Sequence, residues 1–493
     1  MKHINYSPNF RTDDCAGPSQ ALASANSRRQ FLWHAGGGLG GIALAHLLGR
    51  EGLLANQPDG PMHVGRHHRA RATRVIQLFM NGGVSQIDTF DYKRELKKRH
   101  GENFDFGIKA AATSKPGTLM KSPFLWRQHG ESGRWVSNVF PHLAEHVDDM
   151  AFLMAMASKS NVHGPASYMQ NTGFIRPGFP CLGSWLSYGL GNLSDNLPSF
   201  VVLPDPRGLP YNAMGNFSQG FLPAAHQGTM IQPNLSTPIS NLHPPKSATY
   251  INQASETSAR TLLAKLNDKH MQKRPGDSRL EARIASYEMA ARMQQSAPLV
   301  LNISQETQST LKMYGLDNET TSPFGTNCLI ARRLLEKGVR FVQVWSGMDG
   351  ASNNWDNHAS IPRELPKIAR TVDLPVAGLL QDLKQRGMLE DTLVVWSTEF
   401  GRMPFTQGED GRDHNGGTFV TWMAGAGVRG GATYGESDDF GYQGIKDRTY
   451  CYDLHATLLH LLGVDHTQLT FRHNGFDRRL TDVHGQVVHQ ILN

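Results

Sequence analysis

Residues 75–83 read VIQLFMNGG, an apolar run that ends in an asparagine and two glycines. A buried strand followed by a glycine turn is the usual start of an α/β domain. Similar apolar runs follow, at residues 150–156, 200–203, 339–345, 392–397 and 419–424. Helical patterns lie between them or after them, at residues 141–148, 327–337, 369–386 and 454–462, with one more that ends at 171–173. Strands alternating with helices predict an α/β fold with a mostly parallel sheet flanked by helices.

The strand-type runs define a single predicted domain over residues 74–493. Within it, residues from about 219 to 314 begin as a loop rich in Pro, Asn and Ser and become strongly helical and charged. Because strand-type runs resume after this stretch, we interpret it as an inserted loop and helical region. Residues 56–73, before the domain, are rich in Arg and His and are interpreted as a solvated basic linker, with contact to an anionic surface as the alternative.

The first 55 residues are predicted to be a leader with an export signal. Ser27-Arg28-Arg29-Gln30-Phe31-Leu32 is a twin-arginine signature, and a weakly apolar, glycine-rich run follows at residues 35–48. A chance arginine pair before a glycine-rich loop is the alternative. No stretch is long and apolar enough for a conventional membrane span. We therefore expect recognition by the twin-arginine (Tat) translocase and export to the periplasm or the extracellular space.

Composition narrows the classes of function. The net charge is +6, which is too small for a chain of 493 residues to indicate a nucleic-acid partner without a concentrated basic patch. After Cys15 of the leader, only Cys181, Cys328 and Cys451 remain, and none forms a CxxC pair. A zinc-thiolate site or a disulfide scaffold is therefore not expected, although one bridge stays open. The 22 histidines suit metal binding or proton transfer, or lie on the surface.

Polar side chains of metal-ligand or acid/base type lie in loops beside most of the predicted strands. They are Asp88, His163, Asp356, His358, Glu399, Arg402, Asp413 and His414. Carboxylates and imidazoles without thiolates fit a divalent ion such as zinc, manganese, magnesium or calcium. These loops would form one site if they met at one edge of the sheet.

Two of these loops contain an Asp close to a His. Asp356 and His358 lie two residues apart, so they can bind one ion in a loop, but a turn-forming Asp beside a surface His is equally consistent. Asp413 directly precedes His414 and can orient its imidazole without binding the ion itself.

The remaining loop residues also have structural alternatives. Glu399 ends an apolar strand beside Arg402, which favours a metal ligand or an anion site over a plain salt bridge. Asp88 lies in a loop with turn character, where capping competes with metal binding. His163 begins a helix in His-Gly-Pro and can be a nucleophile, a metal ligand or a general acid, or can cap or pack.

These motifs resemble a large bacterial family known as a domain of unknown function, DUF1501, whose members are generally exported by the Tat route and are common in planctomycetes. The resemblance runs from about residue 74 to the carboxyl terminus. It rests on GGVSQIDTFD at residues 82–91, HGPA at 163–166, WDNH at 355–358, EFGR at 399–402 and GRDH at 411–414. The family is similar to the alkaline phosphatase and sulfatase superfamily, which implies an α/β fold with a metal centre at the strand ends.

The resemblance also implies roles for individual residues. His163 stands where the superfamily has its nucleophile, Phe400 replaces a histidine ligand, and Asn81 matches the first aspartate ligand unless Asp88 reaches the site instead. A single divalent ion is then expected on some of the other candidates, with His163 and Arg402 as the catalytic residues. Those candidate ligands are Asp88, Asp356, His358, Glu399 and His414, with Asn81 and Asp413 placed behind them or at the substrate.

Two functions follow from this resemblance. The first is an exported, metal-dependent hydrolase of sulfate or phosphate esters, with an anionic or sulfated polysaccharide as a candidate partner. The second is a catalytically degenerate envelope protein that binds a glycan or another protein.

Overall fold

The run at residues 75–80 forms the middle of the main sheet. A computed structural model describes residues 65–105, 116–240, 242–243, 247–248, 251–275, 277–350 and 352–493. The predicted leader and the twin-arginine signature lie outside the described residues.

Seventeen strands are present in the described part of the chain. They are β1 (Arg74–Met80), β2 (Trp126–His129), β3 (Arg134–Ser137), β4 (Met150–Ala157), β5 (Phe200–Leu203), β6 (Thr229–Met230), β7 (Phe341–Ser346), β8 (Thr392–Ser397), β9 (Gly401–Gln407), β10 (Gly411–Asn415), β11 (Phe419–Ala424), β12 (Thr433–Tyr434), β13 (Glu436–Ser437), β14 (Gly444–Lys446), β15 (Thr449–Tyr450), β16 (Phe471–His473) and β17 (Phe476–Arg478).

Nine α-helices lie in the same described ranges. They are α1 (Arg94–Lys98), α2 (His163–Thr172), α3 (Leu182–Leu190), α4 (Gln253–Gln272), α5 (Ser278–Leu301), α6 (Gln308–Met313), α7 (Ser322–Glu336), α8 (Ile361–Gln385) and α9 (Cys451–Leu461). Short 3-10 helices occur at Gln86–Asp88, Leu143–Asp149, Ala213–Phe217, Ala224–His226, Ile303–Gln305, Met388–Glu390 and His489–Ile491. The helix expected at residues 141–148 is therefore a 3-10 helix.

The main sheet has nine strands in the order β12-β4-β11-β8-β1-β7-β5-β6, with β15 also paired to β4. β1 pairs in parallel with β7 and β8, so that Leu78 lies opposite Val344 and Trp396. Only β11 runs in the opposite direction, antiparallel to both β4 and β8. The predicted α/β fold with a mostly parallel sheet is therefore confirmed.

The sheet is covered on both faces, which explains its continuous apolar strands. Ile76 and Leu78 pack on one face with residues of α7 and α8, whereas Val75 and Phe79 pack on the other with residues of α3 and α9. Burying both faces excludes water from the strands and leaves their carboxyl ends as the place for polar side chains.

Three further features of the fold bear on the predictions. Helices α4 and α5 lie within the stretch interpreted as an insertion, and each begins at a capping side chain, Asn252 and Asp277. Cys181, Cys328 and Cys451 are buried and free, so these three cysteines form no disulfide bridge. No helix in the described ranges is long and apolar enough to cross a membrane.

Candidate metal centre

Four side chains from three segments of the chain meet at one edge of the sheet. One ligand atom each of His163, Asp356, His358 and His414 lies within 4.8 Å of the others. The first three residues follow the carboxyl ends of β4 and β7. His414 precedes β11, and because β11 is antiparallel, its amino end lies at the same edge.

The carboxylate of Asp356 is the centre of this cluster. Its Oδ1 lies 2.8 Å from Nε2 of His358, 3.1 Å from Nε2 of His414 and 3.2 Å from Nε2 of His163. Nε2 of His358 also lies 2.7 Å from Nε2 of His414. Three imidazole nitrogens and one carboxylate oxygen thus surround one small volume.

The outer nitrogen of each imidazole has an acceptor of its own. Nδ1 of His163 lies 2.7 Å from Oε1 of Glu399, and Nδ1 of His414 lies 2.8 Å from the carbonyl oxygen of Asn161. Nδ1 of His358 is paired with Oε1 of Gln407. Because each Nδ1 donates a proton to these acceptors, the neutral rings carry their lone pairs on Nε2, facing the cluster.

Converging lone pairs repel one another unless a cation or a proton lies between them. Nε2 of His163 is buried and, despite the 3.2 Å contact with Asp356, has no partner in hydrogen-bond geometry. A buried polar atom without a partner is costly, and a metal ion would satisfy it. The residues present therefore fit a divalent ion held by Asp356 and by two or three of the imidazoles.

The charge states of the cluster favour metal binding. Burial would raise the pKa of Asp356, but Arg402 and the three imidazoles outweigh it and hold the pKa well below its usual range. Burial, together with the positive charges of Arg402 and His163, lowers the pKa of His414 to about 4, against a smaller opposing effect of Asp356. At neutral pH the carboxylate is ionised and the His414 ring is neutral, which are the forms that bind a metal.

His163 differs from His414 in its protonation. Burial by itself would lower its pKa, but the carboxylates of Asp356 and Glu399 outweigh burial and raise it. The His163 ring stacks on the ring of Tyr211, with centroids 4.4 Å apart and planes at 10°. It also contacts the ring of Phe400, with centroids 4.9 Å apart. His163 is thus better able than His414 to hold a proton.

Glu399 lies outside the cluster of four, although the sequence indicated a ligand. Its side chain is fully buried, and Oε1 accepts from the backbone N–H of Gly82 at 2.8 Å as well as from His163. Thr398 donates to Oε2 at 3.1 Å. With both oxygens occupied, Glu399 orients His163 and does not face the cluster.

Arg402 also has a positioning role in this geometry. Its guanidinium is fully buried, with Nη2 2.6 Å from Oδ1 of Asp356 and Nε 2.7 Å from the carbonyl oxygen of Gly83. It further donates to the carbonyl oxygens of Gly82, Trp355 and Arg412. Its donors are directed at the protein, so Arg402 fixes Asp356 and compensates its charge.

Asp88 is placed apart from the cluster by a different partner. It ends the 3-10 helix Gln86–Asp88 and is fully buried, with Oδ2 2.6 Å from Nε of Arg412. Ser85 donates to the same oxygen. This carboxylate is thus neutralised by an arginine 324 positions away, a pairing that the local sequence does not reveal.

Asn81 and Asp413 were expected behind the ligands or at the substrate. Asn81 is fully buried and donates from Nδ2 to the carbonyl oxygen of Met348 at 3.3 Å, while its Oδ1 has no partner. Asp413 accepts from the backbone N–H of His414 at 2.7 Å. The imidazole of His414 is held by the carbonyl oxygen of Asn161.

Sequence reasoning missed three residues that shape the site: Asn161, Tyr211 and Gln407. It also missed that residues 401–415 form an antiparallel hairpin, β9 and β10, in which His414 lies opposite Arg402. Asn161 had a weak signal, since it stands two residues before His163, but nothing in the local sequence marks the other two.

Several solved structures share part of this fold at low sequence identity. A lipoteichoic acid synthase, LtaP, from Listeria monocytogenes is 9% identical, with 80% of this chain and 73% of that chain covered and a TM-score of 0.34. The PsFucS1 sulfatase from Pseudoalteromonas sp. is 11% identical, with 89% and 76% covered and a TM-score of 0.34. Alkaline phosphatase from the Antarctic bacterium TAB5 is 10% identical, with 79% and 98% covered and a TM-score of 0.32. Likeness at this level carries no argument about function.

The sequence comparisons identify the family of this chain. No protein of curated function matches the chain. The family described as "Protein of unknown function (DUF1501)" matches residues 72–492, which include every residue of the metal centre. The chain therefore belongs to the DUF1501 family.

Proposed function

We propose that this chain is a metal-dependent hydrolase of sulfate or phosphate esters. The observation that carries the proposal is the convergence of three imidazole Nε2 atoms on Oδ1 of Asp356, with every Nδ1 held by a separate acceptor. Imidazole nitrogens together with a carboxylate oxygen suit zinc or manganese better than magnesium or calcium, which prefer oxygen ligands.

The four residues divide into two roles. Asp356, His358 and His414 hold the ion, which when bound supplies Lewis acidity to an ester oxygen and lowers the pKa of a water. His163 serves as the acid/base at Nε2, since its carboxylate neighbours raise its pKa. Glu399 keeps the Nδ1 proton in place, and this fixes the tautomer that accepts a proton at Nε2.

Location and substrate are part of the same proposal. The twin-arginine signature at residues 27–32 supports export through the Tat translocase to the periplasm or the extracellular space. An anionic or sulfated polysaccharide is the proposed substrate class.

One observation favours a second function, a degenerate envelope protein that binds a glycan or a protein partner. Asp356 already forms an ion pair with Arg402 at 2.6 Å, so part of the cluster's charge is balanced without an ion. By the resemblance described above, His163 also stands where the alkaline phosphatase and sulfatase superfamily has its nucleophile. A protein that had lost catalysis could keep this arrangement as a rigid polar core.

The test is to load the full chain with zinc or manganese, measure bound metal by mass spectrometry, and assay p-nitrophenyl sulfate and p-nitrophenyl phosphate. We expect one ion per chain, with hydrolysis lost in His163→Ala and kept in His270→Ala, a change at an exposed histidine on α4. A chain that binds no stoichiometric metal would refute the hydrolase. Metal binding without hydrolysis of any ester would favour the second function.

A further inference from the structure

A polar cleft of about 270 Å³ lies directly beside the metal centre. Its lining includes Ser158, Ser160, Asn161, Met403, Tyr442 and Gln443, and we call it the Gln443 cleft. The metal centre and the cleft share a wall, because the carbonyl oxygen of Asn161 accepts from Nδ1 of His414 at 2.8 Å. One imidazole ring, that of His414, therefore separates Oδ1 of Asp356 from the wall of the cleft.

The chemistry of the lining suits a ligand with several hydroxyl groups. Hydroxyl and amide groups both donate and accept hydrogen bonds, which matches the hydroxyl groups of a polyol. No carboxylate lines the cleft. The one charged lining residue, Lys159, directs its Nζ to the Tyr452 hydroxyl at 3.2 Å and lies 4.7 Å above the Tyr452 ring. Apart from Lys159, the polar groups of the lining are neutral hydroxyls and amides, which suits a ligand that is rich in hydroxyl groups.

The cleft also has an apolar side, and the backbone at Gly416 bounds it. Met403 and Tyr442 pack together and supply a surface suited to the C–H face of a sugar ring. A Cβ added at Gly416 would lie 3.2 Å from the carbonyl oxygen of Ser158 and 3.4 Å from that of Ser160, so a side chain there would narrow the space. The volume is at the small end for ligand pockets, which fits a single ring.

We propose that the Gln443 cleft binds a neutral sugar ring, placing it beside the ester group at the metal centre. The link to an ester rests on the proposed function, whereas binding of the ring by the cleft does not. The predicted substrate class is thus a sugar sulfate or sugar phosphate whose ring, not its anionic group, occupies the cleft.

The test measures binding first and catalysis second. Metal-loaded protein is titrated with methyl glycosides of glucose, galactose and N-acetylglucosamine, up to about 50 mM, and binding is followed by saturation-transfer NMR. Two variants address the cleft: Gln443→Ala removes an exposed amide, and Gln443→Trp fills the space. Gln490→Ala and Gln490→Trp, at an exposed glutamine near the carboxyl terminus, are the matched controls.

We expect at least one glycoside to bind, its Kd to rise about fivefold in Gln443→Ala, and binding to vanish in Gln443→Trp, with both controls unchanged. Metal content should be equal in all five proteins. If no glycoside binds, or if both Gln443 variants bind as the parent does, the sugar site is refuted.

The catalytic arm separates this inference from the proposed function. For a sugar sulfate, the ratio of its kcat/KM to that of p-nitrophenyl sulfate should fall about fivefold in Gln443→Ala. Sugar binding without hydrolysis of any ester would overturn the proposed hydrolase and leave the sugar site standing. Hydrolysis of an ester without sugar binding would overturn the sugar site and leave the proposed hydrolase standing.

Discussion

Replacing Glu399 by Gln separates the two roles that the sequence and the structure assign to this residue. The substitution is close to isosteric. The new amide oxygen can still accept from Gly82 N–H and from Nδ1 of His163. The new amide nitrogen can donate to the hydroxyl of Thr398, whose single proton then goes to the carbonyl oxygen of Met80, 2.8 Å away. What disappears is the negative charge that holds the His163 proton.

If Glu399 only orients His163, the ion should remain bound at one per chain with weaker affinity. Loss of such an outer partner typically costs 10–100-fold in metal affinity, which corresponds to about 1.4–2.7 kcal/mol. Bound metal measured by mass spectrometry gives the stoichiometry, and competition with a chelating indicator gives the Kd. His414→Ala, which removes a ligand, is expected to lose stoichiometric metal under the same conditions.

Two results would contradict this reasoning. A folded Glu399→Gln protein that holds no metal would show that the carboxylate is a ligand, as the sequence indicated. An unchanged Kd would show that the His163 tautomer does not depend on the carboxylate charge. The thermal unfolding midpoint, measured without metal, identifies a variant that has merely failed to fold.

Three further predictions concern stability and geometry. Asp88→Asn breaks a buried ion pair and should lower the free energy of unfolding by about 3–5 kcal/mol, with metal stoichiometry unchanged; loss of metal from the folded variant would make Asp88 a ligand. Gly82→Ala places a Cβ 2.6 Å from the backbone nitrogen of Asp356 at φ +123°, so metal affinity should fall at least about tenfold. In Gly101→Ala, where φ is +86° and no atom lies within 4 Å, affinity should not change. Burial lowers the pKa of His455 to about 4, below its unfolded value of about 6.5, so the unfolded chain binds more protons in acid and stability falls as pH drops through this window. From pH 7.5 to pH 5 this histidine lowers the free energy of unfolding by about 2 kcal/mol. Urea unfolding of His455→Gln should therefore show a loss about 2 kcal/mol smaller than that of the parent protein over the same pH range. Equal losses in the two proteins would refute this role of His455.

Much of the fold was predictable because its strands are continuous apolar runs between turn residues. The bounds of β5, β8 and β11 match the runs at residues 200–203, 392–397 and 419–424. Both faces of the sheet are buried, so its central strands are mostly apolar and each has a clear beginning and end. The β9–β10 hairpin was not predictable in the same way, because most of its residues are polar. Its buried arginines are paired with the distant Asp356 and Asp88 and with backbone carbonyls.

The candidate site was predictable only in part, since a ligand and a buried ion pair can have the same local sequence. Asp88 and Asp356 both lie in polar loops after a strand. Asp88 meets Arg412, whereas Asp356 meets three imidazoles and Arg402. The difference arises from residues far apart in the chain, which no local pattern contains.

The sequence by itself determined the strands, the parallel arrangement of most of them, and the kinds of side chain at their ends. Those choices follow from hydrophobic burial and local backbone preference, which are properties of short segments. The tertiary structure decided which of these side chains meet. A loop that precedes a parallel strand lies at the opposite edge from the carboxyl ends, so a uniformly parallel sheet would have kept His414 away from His163. The reversed direction of β11 brings His414 to the same edge, and this direction depends on long-range pairing with β4 and β8.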